Sequence, residues 1–198
     1  MPPQTGSAAF YFDLRSPQAY LAAERALRVL AAPCEWQPVL STMLPGAERF
    51  EAFRCEQERL AMRESVERRA AALALQPMRW PAPFPFDSEF AMLTATFAKR
   101  IGKTVAFALA AFRQAYAGGR ALSERDNVLI AAAACEMHPA AIVRAAATRG
   151  LRTELAGATA RAAALGVRDV PAVRVGDRVL IGERRLEEAG ALLAQVRR

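Results

Sequence analysis

The sequence predicts an α/β fold that carries a large, all-helical insertion. Three observations lead to this prediction. Residues 1–42 show a strand, a helix and a second strand; residues 43–157 are helical; and residues 158–198 return to a helix, a strand hairpin and a closing helix. The strands of both ends form one sheet only if the ends meet in space. We therefore expect 1–42 and 158–198 to form one domain, with 43–157 as a helical insertion domain.

The first unit has the pattern of a βαβ crossover. Residues 8–13 are almost continuously apolar, as expected for a strand that is covered on both faces. Apolar residues then recur at helical spacing from Pro17 to about Ala31. Residues 35–40 form a second strand, which Trp36 and Pro38 mark as lying near a sheet edge. A strand, a helix of this length and a strand predict parallel strands joined by a right-handed connection.

The middle of the chain is patterned for helices. One predicted buried face runs through an Arg- and Glu-rich segment, and its apolar residues are Phe50, Phe53, Leu60, Val66 and Leu73. The proline-dense residues 76–86 cannot be helical and predict a stiff loop. Further helices are predicted over residues 88–101, 103–117, 124–135 and 139–148.

The last segment returns to mixed structure. A helix is predicted from Ala158 to Leu165, followed by a strand over residues 170–175. Gly176-Asp177 is a tight turn of the hairpin type, and residues 178–181 form the return strand. A closing helix over residues 186–196 completes the order of elements.

The composition argues against a nucleic-acid or membrane role. The 27 Lys and Arg residues exceed the 20 Asp and Glu residues, for a net charge of +7. These cations are spread along every segment, whereas nucleic-acid modules concentrate them in a patch. No apolar run is long enough to cross a bilayer, and no secretory signal is visible at the N-terminus. We expect a cytoplasmic protein.

The cysteines favour neither a metal site nor a disulfide. Cys34, Cys55 and Cys135 are widely separated and odd in number, and the chain has one histidine. A zinc site of the Cys/His type is therefore not expected, and a reducing compartment disfavours a structural disulfide. Each cysteine is interpreted as a small buried hydrophobe.

The most informative short motif is Ser16-Pro17, which lies between the first strand and the first helix. Serine as N-cap followed by proline at the first helical position is an ordinary way to begin a helix. The same hydroxyl, at the mouth of a helix and just past a buried strand, is well placed to hold an anion. Both interpretations remain open from this motif alone.

Three segments carry a resemblance to a known family. Residues 10–22, FYFDLRSPQAYLA, resemble the start of thioredoxin-fold proteins of the 2-hydroxychromene-2-carboxylate isomerase and kappa-class glutathione transferase family. Residues 166–171 are similar to the family's GVxGVP element, and residues 181–186 to its WGxDRL element. The order of elements is that of a DsbA-like thioredoxin fold, so the resemblance implies a thioredoxin-like fold with a large helical insertion.

The resemblance implies a site that lacks redox chemistry. Ser16 stands where redox members have the nucleophilic cysteine, and Ala19 stands where they have the resolving cysteine. Disulfide exchange needs a thiolate attacker, so it is excluded at this position. Pro171 resembles the family's cis-proline, and the backbone N–H and C=O of Val170 would be free to pair with the cysteinyl part of glutathione. Ser16 would stabilise the glutathione thiolate.

Further residues follow from the same resemblance. Cofactor-binding roles are implied for Glu183, Arg184 and Arg185, and Trp80, Phe84 and Phe86 belong to a loop that resembles the cover of the second-substrate pocket. Three positions depart from the family pattern. Ile181 replaces an aromatic residue, Ala172 replaces a frequent threonine, and Arg184 replaces an acidic residue that receives the γ-glutamyl amino group in relatives. Glu183 is the candidate to compensate for this last change.

The function implied is a glutathione-dependent isomerase or transferase that acts on a small electrophilic, aromatic or unsaturated substrate. Its partners would be glutathione and a small molecule, with neither nucleic acid nor membrane, and relatives are often homodimers. The alternative is a DsbA-like protein without CxxC redox activity that binds another small molecule or a peptide. Two possible roles of the proline-rich loop also stay open, a substrate cover and an ordinary connection packed by aromatic side chains.

Overall fold

The sheet is mixed and draws its strands from both ends of the chain. The computed structural model describes residues 8–30, 33–46 and 55–196, and the account that follows concerns these residues. The strand order is β2-β1-β3-β4. The strands are β1 (Ala8–Phe12), β2 (Cys34–Pro38), β3 (Ala172–Val175) and β4 (Arg178–Ile181). β1 pairs with β2 in parallel and with β3 in antiparallel orientation. The predicted edge position of β2 and the thioredoxin-like fold are confirmed.

The described residues also form eight α-helices. They are α1 (Pro17–Val29), α2 (Glu56–Ala72), α3 (Glu89–Arg100), α4 (Thr104–Tyr116), α5 (Arg125–Ala133), α6 (Pro139–Ala146), α7 (Arg149–Ala164) and α8 (Leu186–Val196). The helices predicted from residue 88 to residue 148 lie within a few residues of their observed bounds. No helix in the described part of the chain is long and apolar enough to span a membrane.

The helix predicted to start at Ala158 instead begins at Arg149. Its start is fixed by Thr148, whose hydroxyl oxygen accepts a hydrogen bond from the Leu151 N–H at 3.3 Å, as an N-cap residue does. The expected boundary between residues 157 and 158 therefore falls inside α7. The helix instead continues from the insertion to the sheet, where Ala162 packs under β1.

The amphipathic pattern predicted for α2 is only partly found. Val66 is buried, and Leu73 packs against the core just past the helix end. Leu60 is 51% exposed, so the apolar face does not extend to the start of the helix. Phe50 and Phe53, which were expected on the same face, lie outside the described residues.

Aromatic side chains join the sheet to the helical insertion. Phe10 and Phe12 of β1 both contact the ring of Trp36 on β2. Phe112 of α4 contacts Phe12 and Tyr20, with ring centroids 6.0 and 6.2 Å apart. All of these rings are buried. Phe112 therefore fixes the insertion against both the central strand and the first helix.

Removal of the Phe112 ring should destabilise the whole protein. Phe112→Ala is expected to cost about 3–5 kcal/mol in the free energy of unfolding, because it leaves a cavity in a fully buried aromatic cluster. Ile130→Ala is the control, since Ile130 is 52% exposed and its loss should stay within about 0.5 kcal/mol. Urea denaturation measures both. Similar losses in the two variants would contradict the packing described.

Candidate functional site

Ser16 lies at the N-terminus of α1, at the end of the sheet where β1 stops. Its hydroxyl oxygen accepts a hydrogen bond from the Ala19 N–H at 3.2 Å, so the N-cap interpretation is correct. The same hydroxyl donates to the Val170 carbonyl at a distance of 3.4 Å. The two remote segments singled out in the sequence therefore meet in space.

The loop before Ser16 is held by a buried carboxylate. Asp13 is 0% exposed. Its Oδ1 accepts a hydrogen bond from the Arg15 N–H at 3.0 Å, and its Oδ2 accepts from both the N–H and the hydroxyl of Ser41 at 2.8 Å. Its backbone carbonyl accepts from the Ser16 N–H at 3.1 Å. A buried carboxylate needs such partners to avoid a desolvation cost, and here they fix the loop to the segment after β2.

Val170 and Pro171 are placed as expected but are not free. The Val170-Pro171 peptide bond is cis. The Val170 N–H donates to Asp169 Oδ1 at 2.7 Å, and its carbonyl accepts from Ser16. The expectation that both backbone groups would be open is therefore wrong. The hydrogen bond from the Ser16 hydroxyl to the Val170 carbonyl is long for an O–H···O bond. The hydroxyl could therefore donate to a better acceptor instead at little cost.

Ser16 is also fully covered, with 0% of its surface exposed. The sequence predicted a hydroxyl facing a ligand, whereas the structure shows one that satisfies the helix end and a neighbouring carbonyl. A ligand atom could reach it only after the covering side chains move.

Glu183 is occupied by two arginines. It is 5% exposed, and its carboxylate forms ion pairs with Arg25 and Arg69. Arg69 Nε donates to Glu183 Oε2 at 2.9 Å and its Nη2 donates to Oε1 at 3.0 Å. Hydrogen bonding to Glu183 raises the pKa of Arg69. Burial lowers the pKa of Arg25, and the negative charge of Glu183 partly offsets this decrease. Glu183 thus holds α2 and α1 to the end of the sheet, and the cofactor-binding role expected for it is not supported.

Arg184 and Arg185, which follow Glu183 in the chain, differ in their contacts. Arg185 donates to Glu188 through Nη2 at 2.9 Å, an exposed pair within one turn of helix. Arg184 is exposed and has no ion pair with any described residue. Glu183, the candidate to compensate for Arg184, is itself paired with Arg25 and Arg69.

Trp80 and Phe84 line an open cavity of about 480 Å³ beside α2. The Arg63 guanidinium lies over both rings, 5.3 Å from the Trp80 centroid and 5.7 Å from that of Phe84. Its Nε is buried without a hydrogen-bond partner. Glu56, Arg59 and Leu60 also line the cavity.

Neither Arg59 nor Arg63 was predicted as a site residue from the sequence. Their spacing of four residues places Arg59 and Arg63 on one face of α2, and that face fronts the proline-rich loop. Phe86, by contrast, is 1% exposed and packs against Tyr116. It belongs to the core, and the expectation that it lines the substrate pocket is wrong.

Tyr116 connects this cavity to the Ser16 loop. Its ring meets that of Trp80 edge to face at 6.2 Å, and its carbonyl accepts a hydrogen bond from the Arg79 N–H at 2.7 Å. Its hydroxyl donates to the Arg15 carbonyl at 2.6 Å. Burial, assisted by the charge of Asp13, raises the pKa of Tyr116 well above its ordinary value, so the phenol stays protonated and remains a donor.

None of the three cysteines lines the cavity beside Trp80. All three are free. Burial and the neighbouring Glu35 raise the pKa of Cys34 to about 12, which removes thiolate character at neutral pH. Within residues 8–30, 33–46 and 55–196, no group of His, Cys, Asp and Glu side chains is arranged to hold a metal ion.

Comparison with solved structures places the fold among thioredoxin-like proteins. A 2-hydroxychromene-2-carboxylate isomerase superimposes with a TM-score of 0.81 at 16% identity, over 96% of each chain. The cytosolic disulfide reductase DsbM from Pseudomonas aeruginosa superimposes with a TM-score of 0.63 at 17% identity, over 96% of this chain and 97% of DsbM. A second DsbM structure contains GSH and has a TM-score of 0.60, at 18% identity and the same coverage.

The sequence itself carries the family assignment. Among curated proteins, none matches the chain. The profile of the DSBA-like thioredoxin domain matches residues 9–194, which is nearly the whole chain and includes both Ser16 and Val170-Pro171. The chain belongs to the family of DSBA-like thioredoxin domains.

Proposed function

We propose that this protein uses glutathione to isomerise or conjugate a small, unsaturated electrophile. One observation carries the proposal: the Ser16 hydroxyl lies at the N-terminus of α1 and within hydrogen-bond distance of the Val170 carbonyl, beside Pro171. The similarity in fold to an isomerase of this kind and to a disulfide reductase that contains GSH supports the same choice.

The residues at the site fit part of glutathione better than the rest. A thiol near Ser16 would meet a hydroxyl donor and the positive end of α1. The backbone of Val170 could pair with the cysteinyl part after giving up local hydrogen bonds. Glu183, the residue expected to receive the γ-glutamyl amino group, is already paired with Arg25 and Arg69. We therefore expect binding to rest mainly on the sulfur and cysteinyl part.

The energy needed to ionise the thiol matches what the site can supply. To lower a thiol pKa by about two units takes roughly 2.7 kcal/mol. A helix N-terminus supplies about 0.3–1 kcal/mol, and up to ~2 when partly buried. A hydrogen bond to a charged group supplies about 1.5–3 kcal/mol. The helix alone therefore falls short, and the Ser16 hydroxyl makes up the difference.

Each part of the chain has a distinct role in this mechanism. Bound glutathione would supply the nucleophile that attacks the unsaturated carbon. Ser16 turns its proton from the Val170 carbonyl to the sulfur and holds it ionised. Trp80 and Phe84 would line the cavity that receives the second substrate, beside the Arg63 guanidinium that lies over both rings. The product would leave as an isomer if the new carbon–sulfur bond breaks again after rotation, and as a conjugate if that bond is kept and the neighbouring carbon takes up a proton.

Arg63 and Arg59 suggest which substrates the cavity accepts. The Arg63 guanidinium is stacked on two aromatic rings, and its Nε has no hydrogen-bond partner. A planar substrate that carries a carboxylate would lie against the rings and satisfy this cation. We therefore favour an aromatic carboxylate, which agrees with the compound named for the similar isomerase.

A second candidate function is a non-redox binding protein whose pocket takes another small molecule or a peptide. Two observations favour it: Ser16 exposes none of its surface, and Glu183 is unavailable to glutathione. In that case the cavity beside Trp80 is the binding site, and Ser16 acts only as an N-cap.

Ser16→Ala should raise the pKa of bound glutathione by about one to two units, because the thiolate loses a hydrogen bond from the hydroxyl. Thr148→Ala is the matched control. It removes a side-chain N-cap from α7 and should cost a similar ~1 kcal/mol of stability, but it leaves the thiol unaffected. The ultraviolet absorbance of the bound thiolate, followed against pH, distinguishes the two variants. If wild-type protein binds no glutathione at millimolar ligand in calorimetry, the second candidate function replaces the first.

Arg63→Met should weaken binding of cinnamate roughly tenfold, because the carboxylate loses its cation while the aliphatic stem is kept. The uncharged analogue cinnamamide should bind wild type and variant alike. Arg68→Met is the control on the same helix, since the Arg68 side chain is 71% exposed. Fluorescence titration measures these affinities. An equal loss for the acid and the amide would show that Arg63 acts through packing alone.

The cysteines should take no part in turnover. Cys34, with a pKa raised to about 12, is protonated at pH 8 in all but about one molecule in ten thousand. Iodoacetamide at this pH should therefore modify the exposed Cys55 well before Cys34, as peptide mass spectrometry would show.

The protein should show no turnover in an insulin-reduction assay. Turnover that disappears in Cys34→Ala would contradict this assignment.

A further inference from the structure

We propose that Tyr116 is a positioning residue for Ser16 and sets the direction in which the Ser16 hydroxyl points. This inference rests on the proposed function, because the orientation of the hydroxyl matters most when it serves a bound thiol. Nothing in the sequence marks Tyr116 for this role, since it lies one hundred residues further along the chain, at the end of α4.

The peptide unit that joins Arg15 to Ser16 is held at both ends by hydrogen bonds. This unit is planar, so fixing its two ends fixes the plane. At one end, the Ser16 N–H donates to the Asp13 carbonyl at 3.1 Å. At the other end, the Arg15 carbonyl accepts from the Tyr116 hydroxyl at 2.6 Å. Because the Cα of Ser16 belongs to this plane, the origin of its side chain is fixed as well.

Tyr116 is itself held firmly enough to act as a reference point. Its side chain is 0% exposed. The ring stacks on Tyr20 with centroids 5.5 Å apart and lies 6.4 Å from both Phe86 and Phe112. Its backbone is tied to the proline-rich loop through Arg79. A rotation of the phenol would disturb all of these contacts, so the hydroxyl stays directed at the Arg15 carbonyl.

A misplaced hydroxyl would affect the thiol more than the stability of the fold. The Ser16 hydroxyl accepts from Ala19 at 3.2 Å and has one proton to donate. A small turn of the peptide plane would shift the Ser16 oxygen and lengthen or bend the hydrogen bond from its hydroxyl to the sulfur. Hydrogen bonds to charged groups depend on such alignment.

The chain contains a matched control. Tyr20 belongs to the same aromatic cluster and is 1% exposed. Its hydroxyl makes no hydrogen bond to the Ser16 loop or to any other described residue. Tyr116→Phe and Tyr20→Phe thus delete the same atom from the same cluster and keep both rings, and only the first removes a contact with the loop.

Three measurements on the two variants test the inference. In Tyr116→Phe, the pKa of bound glutathione should rise by about 0.5–1 unit, and kcat at neutral pH should fall about three- to tenfold while KM for the electrophile stays unchanged. In the absence of ligand, amide hydrogen exchange at Ser16 and Ala19 should be faster in Tyr116→Phe than in wild type. Cinnamate binding at the Trp80 cavity should be unaffected. Tyr20→Phe should match wild type in every measurement.

The outcomes separate this inference from the proposed function. If Tyr116→Phe, like Tyr20→Phe, leaves both the thiol pKa and the amide exchange at their wild-type values, Tyr116 only packs and the inference is wrong. If the two variants shift together, the effect belongs to the cluster and the inference is equally wrong. If wild-type protein binds no glutathione but the exchange rises only in Tyr116→Phe, the positioning of Ser16 stands and the proposed function fails.

Discussion

The antiparallel pairing of β1 with β3 is the constraint on which the site depends. Ala8 lies opposite Val175, and Tyr11 lies opposite Ala172. Since the strands run in opposite directions, the end of β1 and the start of β3 lie at the same end of the sheet. Ser16 follows the first and Val170-Pro171 precedes the second, so these segments meet although most of the chain separates them. The long helical insertion leaves this geometry unchanged, because α4 packs on the same central strand through Phe112.

The elements of the fold could be predicted from local patterns, and the reasons are physical. A strand that is buried on both faces, such as β1, must be apolar at nearly every position. Pro17 and Ser16 define a helix start with little ambiguity. The start of α7 at Arg149 was missed because Leu151 and Leu155 are the only large apolar residues in its first two turns, although their four-residue spacing and the Thr148 cap both indicate a helix.

The tertiary contacts that decide the chemistry of the site could not be predicted from the sequence. Nothing local indicates that Glu183 would be shared by Arg25 and Arg69, since these residues approach one another only in the folded chain. The same holds for the hydroxyl of Tyr116. Motif matching placed Ser16 and Pro171 correctly, but a motif cannot show whether Val170 is already paired. Positions could thus be predicted from the sequence, whereas the availability of each group depended on tertiary contacts.

A crystal structure of the protein with glutathione is the most direct test of the account. We expect the sulfur within hydrogen-bond distance of the Ser16 hydroxyl, with that hydroxyl no longer bonded to the Val170 carbonyl and the cysteinyl backbone paired with Val170. A structure obtained at millimolar glutathione in which Ser16 remains covered, keeps its bond to Val170 and has no ligand beside it would contradict the central claim.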